Sequence, residues 1–118
     1  MKKVNDRPLP VTFYMSGAGK EPVREWLKVL PRKERKIIGE DIKTVQFGWP
    51  MGMPLIRKLG ADLWEIRSKL GRRISRVLFT EYKGMLVLLH GFIKKSQKTP
   101  VSDLNLAKKR LKDVRGVK

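Results

Sequence analysis

The hydrophobic period of this chain shifts at Gly48-Trp49-Pro50. From Pro22 to Val45 apolar residues recur at helical spacing; from Leu55 to Ile93 they alternate as in strands. Helices followed by a run of strands point to an α+β domain. Within the first half, Pro10–Tyr14 reads as a short strand and Ser16-Gly17-Ala18-Gly19 as loop. Pro22 suits a first helical residue, and Val23, Trp26, Leu27 and Leu30 follow at i, i+3, i+4 and i+7. Pro31 interrupts that helix. A second one is expected through about Val45, with Ile38, Ile42 and Val45 inward. Arg32, Lys33, Arg35 and Lys36 crowd its start, where positive charge opposes the helix dipole.

The second half predicts strands over Leu55–Leu59, Leu63–Lys69, Arg73–Thr80 and Met85–Ile93. Gly71-Arg72 and Lys83-Gly84 supply the turns between the last three, giving an antiparallel meander. Met85–Leu89 is almost uniformly apolar and belongs in the centre of the sheet. After Thr99-Pro100, either Ser102 or Asp103 suits an N-cap, and Leu104, Ala107, Leu111 and Val114 share one face of a C-terminal helix. Its other face carries Lys108, Lys109, Arg110 and Lys112. The 118 residues predict one domain, with residues 1–9 as a flexible arm.

Charge narrows the partners. Lys and Arg number 28 against 11 Asp and Glu, a net of +17. A field of that size attracts polyanions: nucleic acid, an anionic membrane surface or an acidic protein. Between Arg57 and Lys98 there are eleven basic residues and three acidic ones, so the bias runs through the folded part and not a terminal tail. The chain has no cysteine and one histidine, His90. A zinc site takes about four nitrogen or sulfur ligands, which this composition argues against. Disulfides are impossible, in keeping with a reducing compartment. The N-terminus lacks the apolar core of a signal peptide, and no run approaches a membrane span. The expected location is the cytoplasm.

Several strand residues are candidates for chemistry. Glu65 and Arg67 share a face of their strand, opposite Trp64 and Ile66. They read either as an acid/base beside a phosphate ligand or as a surface ion pair. Arg76 lies between Ile74 and Leu78 on its face, as an anion ligand in apolar surroundings or a snorkelling side chain. Arg72 and Arg73 adjoin a turn and attract phosphate without precise placement. Lys94, Lys95 and Lys98 cluster where the last strand ends, a frequent place for function and also for solvated charge. Phe92 suits base stacking or core packing, and His90 shares its face as a catalytic or a structural residue. Trp26 and Trp64 read as core.

Five blocks, EPVREWLKVLP (21–31), PLIRKLGADLWEIR (54–67), RRISRVLF (72–79), LLHGFIKKSQKTP (88–100) and the Ala107-Lys108 helix, follow in one order. Together they resemble the RelE/HigB-like toxins of bacterial type II toxin–antitoxin systems, in particular the phage-derived killer protein branch. The resemblance covers nearly everything after residue 10. It implies a small RelE-like α+β domain: a curved antiparallel sheet, two N-terminal helices packed on one face, and a C-terminal helix. It also implies a ribosome-dependent endoribonuclease that cuts mRNA, needs no metal or cofactor, and is neutralised by a cognate antitoxin. The reaction is attack by a ribose 2′-OH on the adjacent phosphate, which demands a proton acceptor, a proton donor and stabilisation of transition-state charge. By position, Arg67 corresponds to a phosphate ligand, Arg76 to the transition-state arginine, and Lys94 and Lys95 to the basic end of the last strand. Some relatives use a C-terminal tyrosine, and this chain has none after Tyr82. Glu65 and His90 are therefore both candidates for the general base. Two other readings share the fold: a gyrase-inhibiting toxin, and a basic nucleic-acid-binding module without cleavage.

Overall fold

A computed structural model of the protein describes residues 8–50, 55–94 and 98–116. The described elements are β1 (Val11–Phe13), α1 (Pro22–Lys28), α2 (Arg32–Gly48), β2 (Ile56–Gly60), β3 (Leu63–Leu70), β4 (Arg73–Tyr82), β5 (Met85–Lys94) and α3 (Val101–Arg115). The fold is the expected α+β, built on one open five-stranded sheet in the order β1-β5-β4-β3-β2. From β2 to β5 it is the antiparallel meander read from the turns. The exception is β1, which pairs parallel to β5 in the register Val11↔Leu86 and Phe13↔Leu88, so the sheet is mixed and not wholly antiparallel. Because β1 precedes two helices and three strands, its long return connection permits the parallel neighbour. β5 is thus paired on both sides, which explains its apolar run, and β4 is the middle strand.

Side-chain alternation gives the sheet two distinct faces. Ile66, Val77, Phe79, Leu86 and Leu88 form one core with Val23 of α1 and Ile38, Ile42 and Val45 of α2. Leu63, Leu78, Val87 and Leu89 form a second core on the opposite side, where α3 contributes Ala107 with Leu104, Leu111 and Val114. The apolar stripes read from both helices are the ones buried. Trp64 stacks near Phe79, and Trp49 meets both edge-on, so the turn after α2 closes onto the sheet.

One of the early positive charges of α2 finds a specific use, and so does the acid beside it. Arg35 donates to the carbonyl of Lys28 at the end of α1, where a cation is favourable, and Glu34 pairs with Arg73 on β4. Residues 1–7 of the expected arm lie outside the described residues. Leu9 is tied down: its N–H donates to the Gln46 carbonyl, and its own carbonyl accepts from the Gln46 amide. In the β4–β5 turn both Lys83 (φ 51) and Gly84 (φ 79) take positive φ, as a two-residue hairpin turn requires. Neither Ser102 nor Asp103 caps α3. Pro100 occupies that position, without a side-chain hydrogen bond, and the helix starts one residue before Ser102.

At Gly91 the Trp26 ring of α1 lies directly against the backbone of β5. A Cβ there would lie 2.4 Å from the Trp26 ring. Gly91→Ala should therefore push the indole off the strand and cost about 1–3 kcal/mol, read as a lower urea midpoint with an unchanged m-value.

Tyr14 anchors the other end of α3. Its hydroxyl donates to Asp113 over 2.7 Å, and the Arg110 guanidinium lies 5.5 Å from the ring centroid. Tyr14 has its pKa raised from the ordinary 10.0, first by the Asp113 hydrogen bond and then by burial. A folded pKa above the unfolded one means this contribution is complete below pH 10 and is lost as pH rises through the folded value. Tyr14→Phe should be less stable than the wild type near neutrality. The gap should shrink above pH 10, which thermal denaturation between pH 8 and 11.5 would reveal.

Candidate active site

Glu65 and Arg67 on β3, Arg76 on β4, and His90 and Phe92 on β5 fall on the α3 side of the sheet because their strands are in register. Arg67 stands directly opposite Arg76, Glu65 opposite Leu78, His90 opposite Leu78 on its other side, and Phe92 opposite Arg76. Glu65 is therefore a diagonal neighbour of Arg76, within reach for long side chains. It uses that reach: Arg76 Nη1 lies 3.3 Å from Glu65 Oε1, and both side chains are completely buried. Thr99, in the segment that leads to α3, donates its hydroxyl to Glu65 Oε2 at 2.8 Å, and Arg76 approaches the same hydroxyl at 3.5 Å. Both Glu65 oxygens are thus held, as burial of a charge demands.

This arrangement corrects two expectations. Glu65 does not pair with Arg67 on a solvated face; it pairs across strands with Arg76, beneath Thr99. Arg76 is no snorkelling side chain either, since its head is as buried as its stem. Sequence adjacency suggested the i, i+2 partner, whereas strand register and cover by the α3 segment selected the diagonal one.

His90 is held separately. Its Nε2 lies 2.6 Å from Asp103 Oδ1 in the first turn of α3, and its ring stacks on Phe92 with centroids 5.4 Å apart. A carboxylate accepts, so the hydrogen is assigned to Nε2, leaving the neutral ring's Nδ1 as a bare acceptor. Among the described residues Nδ1 has no hydrogen-bond partner. Asp103, an N-cap candidate in the sequence, orients this histidine instead. Phe92 is half-buried against the second core and stacked on the His90 ring.

The remaining cations differ in use. Arg67 lines a cleft at the edge of the sheet and forms no ion pair among the described residues. Arg73 is engaged by Glu34, while Arg72 and Lys98 are exposed. Lys95 and the side chain of Lys94 lie outside what is described. No group of three or more His, Cys, Asp or Glu placed to hold a metal ion occurs among the described residues. Thr99 and Asp103 are the site residues that sequence reasoning missed in this role. The signal available was the Thr99-Pro100 helix start, which brings its neighbours back over the strand that precedes it.

An open mixed sheet thus carries a buried acid–arginine pair, an oriented histidine and several further cations. The profile described as Phage derived protein Gp49-like (DUF891) matches residues 25–112, and the chain belongs to that family, a toxin-like family of toxin–antitoxin systems. No curated protein matches the chain. The matched span runs from α1 almost to the end of α3 and so includes every residue of the site.

The buried pair has a measurable signature. Arg76→Met strands the Glu65 charge and should destabilise the fold by about 3–5 kcal/mol, whereas adding Glu65→Leu should recover most of that loss. Urea denaturation of the two single variants and the double variant checks this; simple additivity would rule out the coupling.

Proposed function

We propose that this protein is the toxin of a type II toxin–antitoxin system and acts as a RelE/HigB-like, ribosome-dependent endoribonuclease in the cytoplasm. The observation that carries the reading is the convergence of an oriented histidine, an unpaired arginine and a buried acid–arginine pair on one side of a basic sheet. His90 Nδ1, with Asp103 fixing the ring from behind, takes the proton from a ribose 2′-OH as that oxygen attacks the adjacent phosphorus. The bond from phosphorus to the 5′-oxygen breaks, a cyclic 2′,3′-phosphate forms, and the leaving 5′-oxygen takes a proton from the imidazolium or from water. The imidazolium so formed is stabilised by Asp103. Arg67 contacts the phosphate and offsets charge growing on its oxygens. Phe92, already stacked on His90, offers an aromatic edge for a neighbouring base.

Arg76 and Glu65 act from behind the reacting groups. Their burial supports a role in shaping the strand surface that presents Arg67 and His90, and a transition-state contact by Arg76 requires movement of the Thr99 segment. Lys94, Lys95, Lys98 and Arg72 add positive potential along the path of the backbone, and Arg73 contributes less because Glu34 offsets its charge. The ribosome supplies substrate positioning, which a shallow site of this kind provides only in part. A cognate antitoxin neutralises the same basic surface.

Mapping mRNA cuts in a purified translation system tests the proposal with variants that leave the buried pair intact. Wild type should cut ribosome-bound mRNA in the A site. His90→Gln should cut about 10²-fold more slowly or less, and Arg67→Gln should also be impaired. The complete burial of Arg76 favours one second reading, a nucleic-acid binder without cleavage. Folded wild type that cuts nothing, but binds RNA with a steep loss of affinity at higher salt, would establish that reading in place of the first.

A further inference from the structure

β2 stops pairing with β3 at Ile56↔Ile66, and only the Arg67 N–H bond to the Leu55 carbonyl continues the ladder. Among the described residues, the rest of β3 has no further strand partner on that side. Beside it lies a cleft of about 620 Å³ between α2 and the ends of β3 and β4, lined by Ile37, Asp41, Leu55, Arg67, Lys69 and Ile74. The volume is in the range of small-ligand sites. The lining divides chemically into three aliphatic side chains, two cations and one carboxylate.

Both kinds of charge stand unused. Arg67 Nε is buried and makes no hydrogen bond among the described residues. The half-buried Asp41 carboxylate has no hydrogen bond or ion pair there either, in a chain with 28 basic residues. A guanidinium N–H removed from water without a partner is costly, and a ligand in the cleft that reaches Arg67 Nε recovers that cost, with Asp41 left to meet the ligand's donors.

We propose that this cleft binds one nucleotide of the RNA, with guanine as its preferred base; the proposal deepens the endoribonuclease reading and rests on it for the identity of the polymer. The phosphate meets Arg67 and Lys69, and the base lies against Ile37, Leu55 and Ile74. Asp41 reads the Watson–Crick edge, as bases of single-stranded RNA are commonly read. A carboxylate only accepts. Guanine presents two adjacent donors, N1–H and the N2 amine, to its two oxygens. Cytosine and adenine offer one amine beside an acceptor nitrogen. Uracil offers one N–H between two carbonyls that repel the carboxylate. An acidic protein segment fits less well, because Asp41 would oppose its charge.

Methyl and amide NMR titrations of the full chain with the 5′-monophosphates of guanosine, adenosine, cytidine and uridine, and with inorganic phosphate, test this. Guanosine monophosphate should perturb Ile37, Leu55 and Ile74 and bind about ten-fold more tightly than uridine monophosphate. Asp41→Asn should abolish that preference, and Arg67→Gln should weaken all four nucleotides alike. Equal affinities in the wild type, perturbations confined to another surface, or a preference that survives Asp41→Asn would each overturn the proposal. Binding as expected without mRNA cleavage would instead sink the endoribonuclease reading and leave the nucleotide site standing. Cleavage with no guanine discrimination in the cleft would do the reverse.

Discussion

A glutamate and an arginine, both wholly removed from solvent, sit at the centre of this small sheet. Dehydrating two charges costs more than an ordinary apolar contact returns, so their surroundings must satisfy them from several directions. β3 and β4 do so through their register, which sets Glu65 diagonal to Arg76. The chain after β5 does so through Thr99, which takes the second carboxylate oxygen. From that point α3 is committed to the same face, and its first turn carries Asp103 to His90. The buried pair therefore couples three separate parts of the chain, and the position of the histidine follows from it.

The two faces of the sheet divide the work. The side facing α1 and α2 is an aliphatic and aromatic core, tightened by Trp26 over Gly91 and by the Trp49, Trp64 and Phe79 cluster. The side facing α3 is apolar near Tyr14, Val87 and Ala107 but polar toward the Glu65, Arg76 and His90 end. A rigid apolar layer thus carries a polar one, a sound arrangement for holding groups at fixed separations. Surrounding cations raise the positive potential at that end.

Much of the fold was legible in particular residues. Val23 and Ile38, Ile42 and Val45 announce the helical faces that they bury, and Leu104, Ala107, Leu111 and Val114 announce a third. Gly71-Arg72 and Lys83-Gly84 mark hairpins that are present. These signals are local: they depend on spacing within one element or on the φ angles of a two-residue turn. The parallel β1 was not legible, since a three-residue strand has no period and its partner lies more than seventy residues away. At the site, the residue types were legible and the pairings were not. Glu65 and Arg67 look like partners on one strand, and Asp103 looks like a helix cap.

Sequence by itself determined the elements, their apolar faces, the net charge of +17 and the set of polar side chains available. Each follows from short-range chemistry, the period of a helix or strand and the count of ionisable groups. Tertiary structure alone decided which acid meets which base. That choice depends on cross-strand register and on the side of the sheet that α3 covers. Such pairings are settled by the cost of burying charge, which exists only once the chain has closed around it.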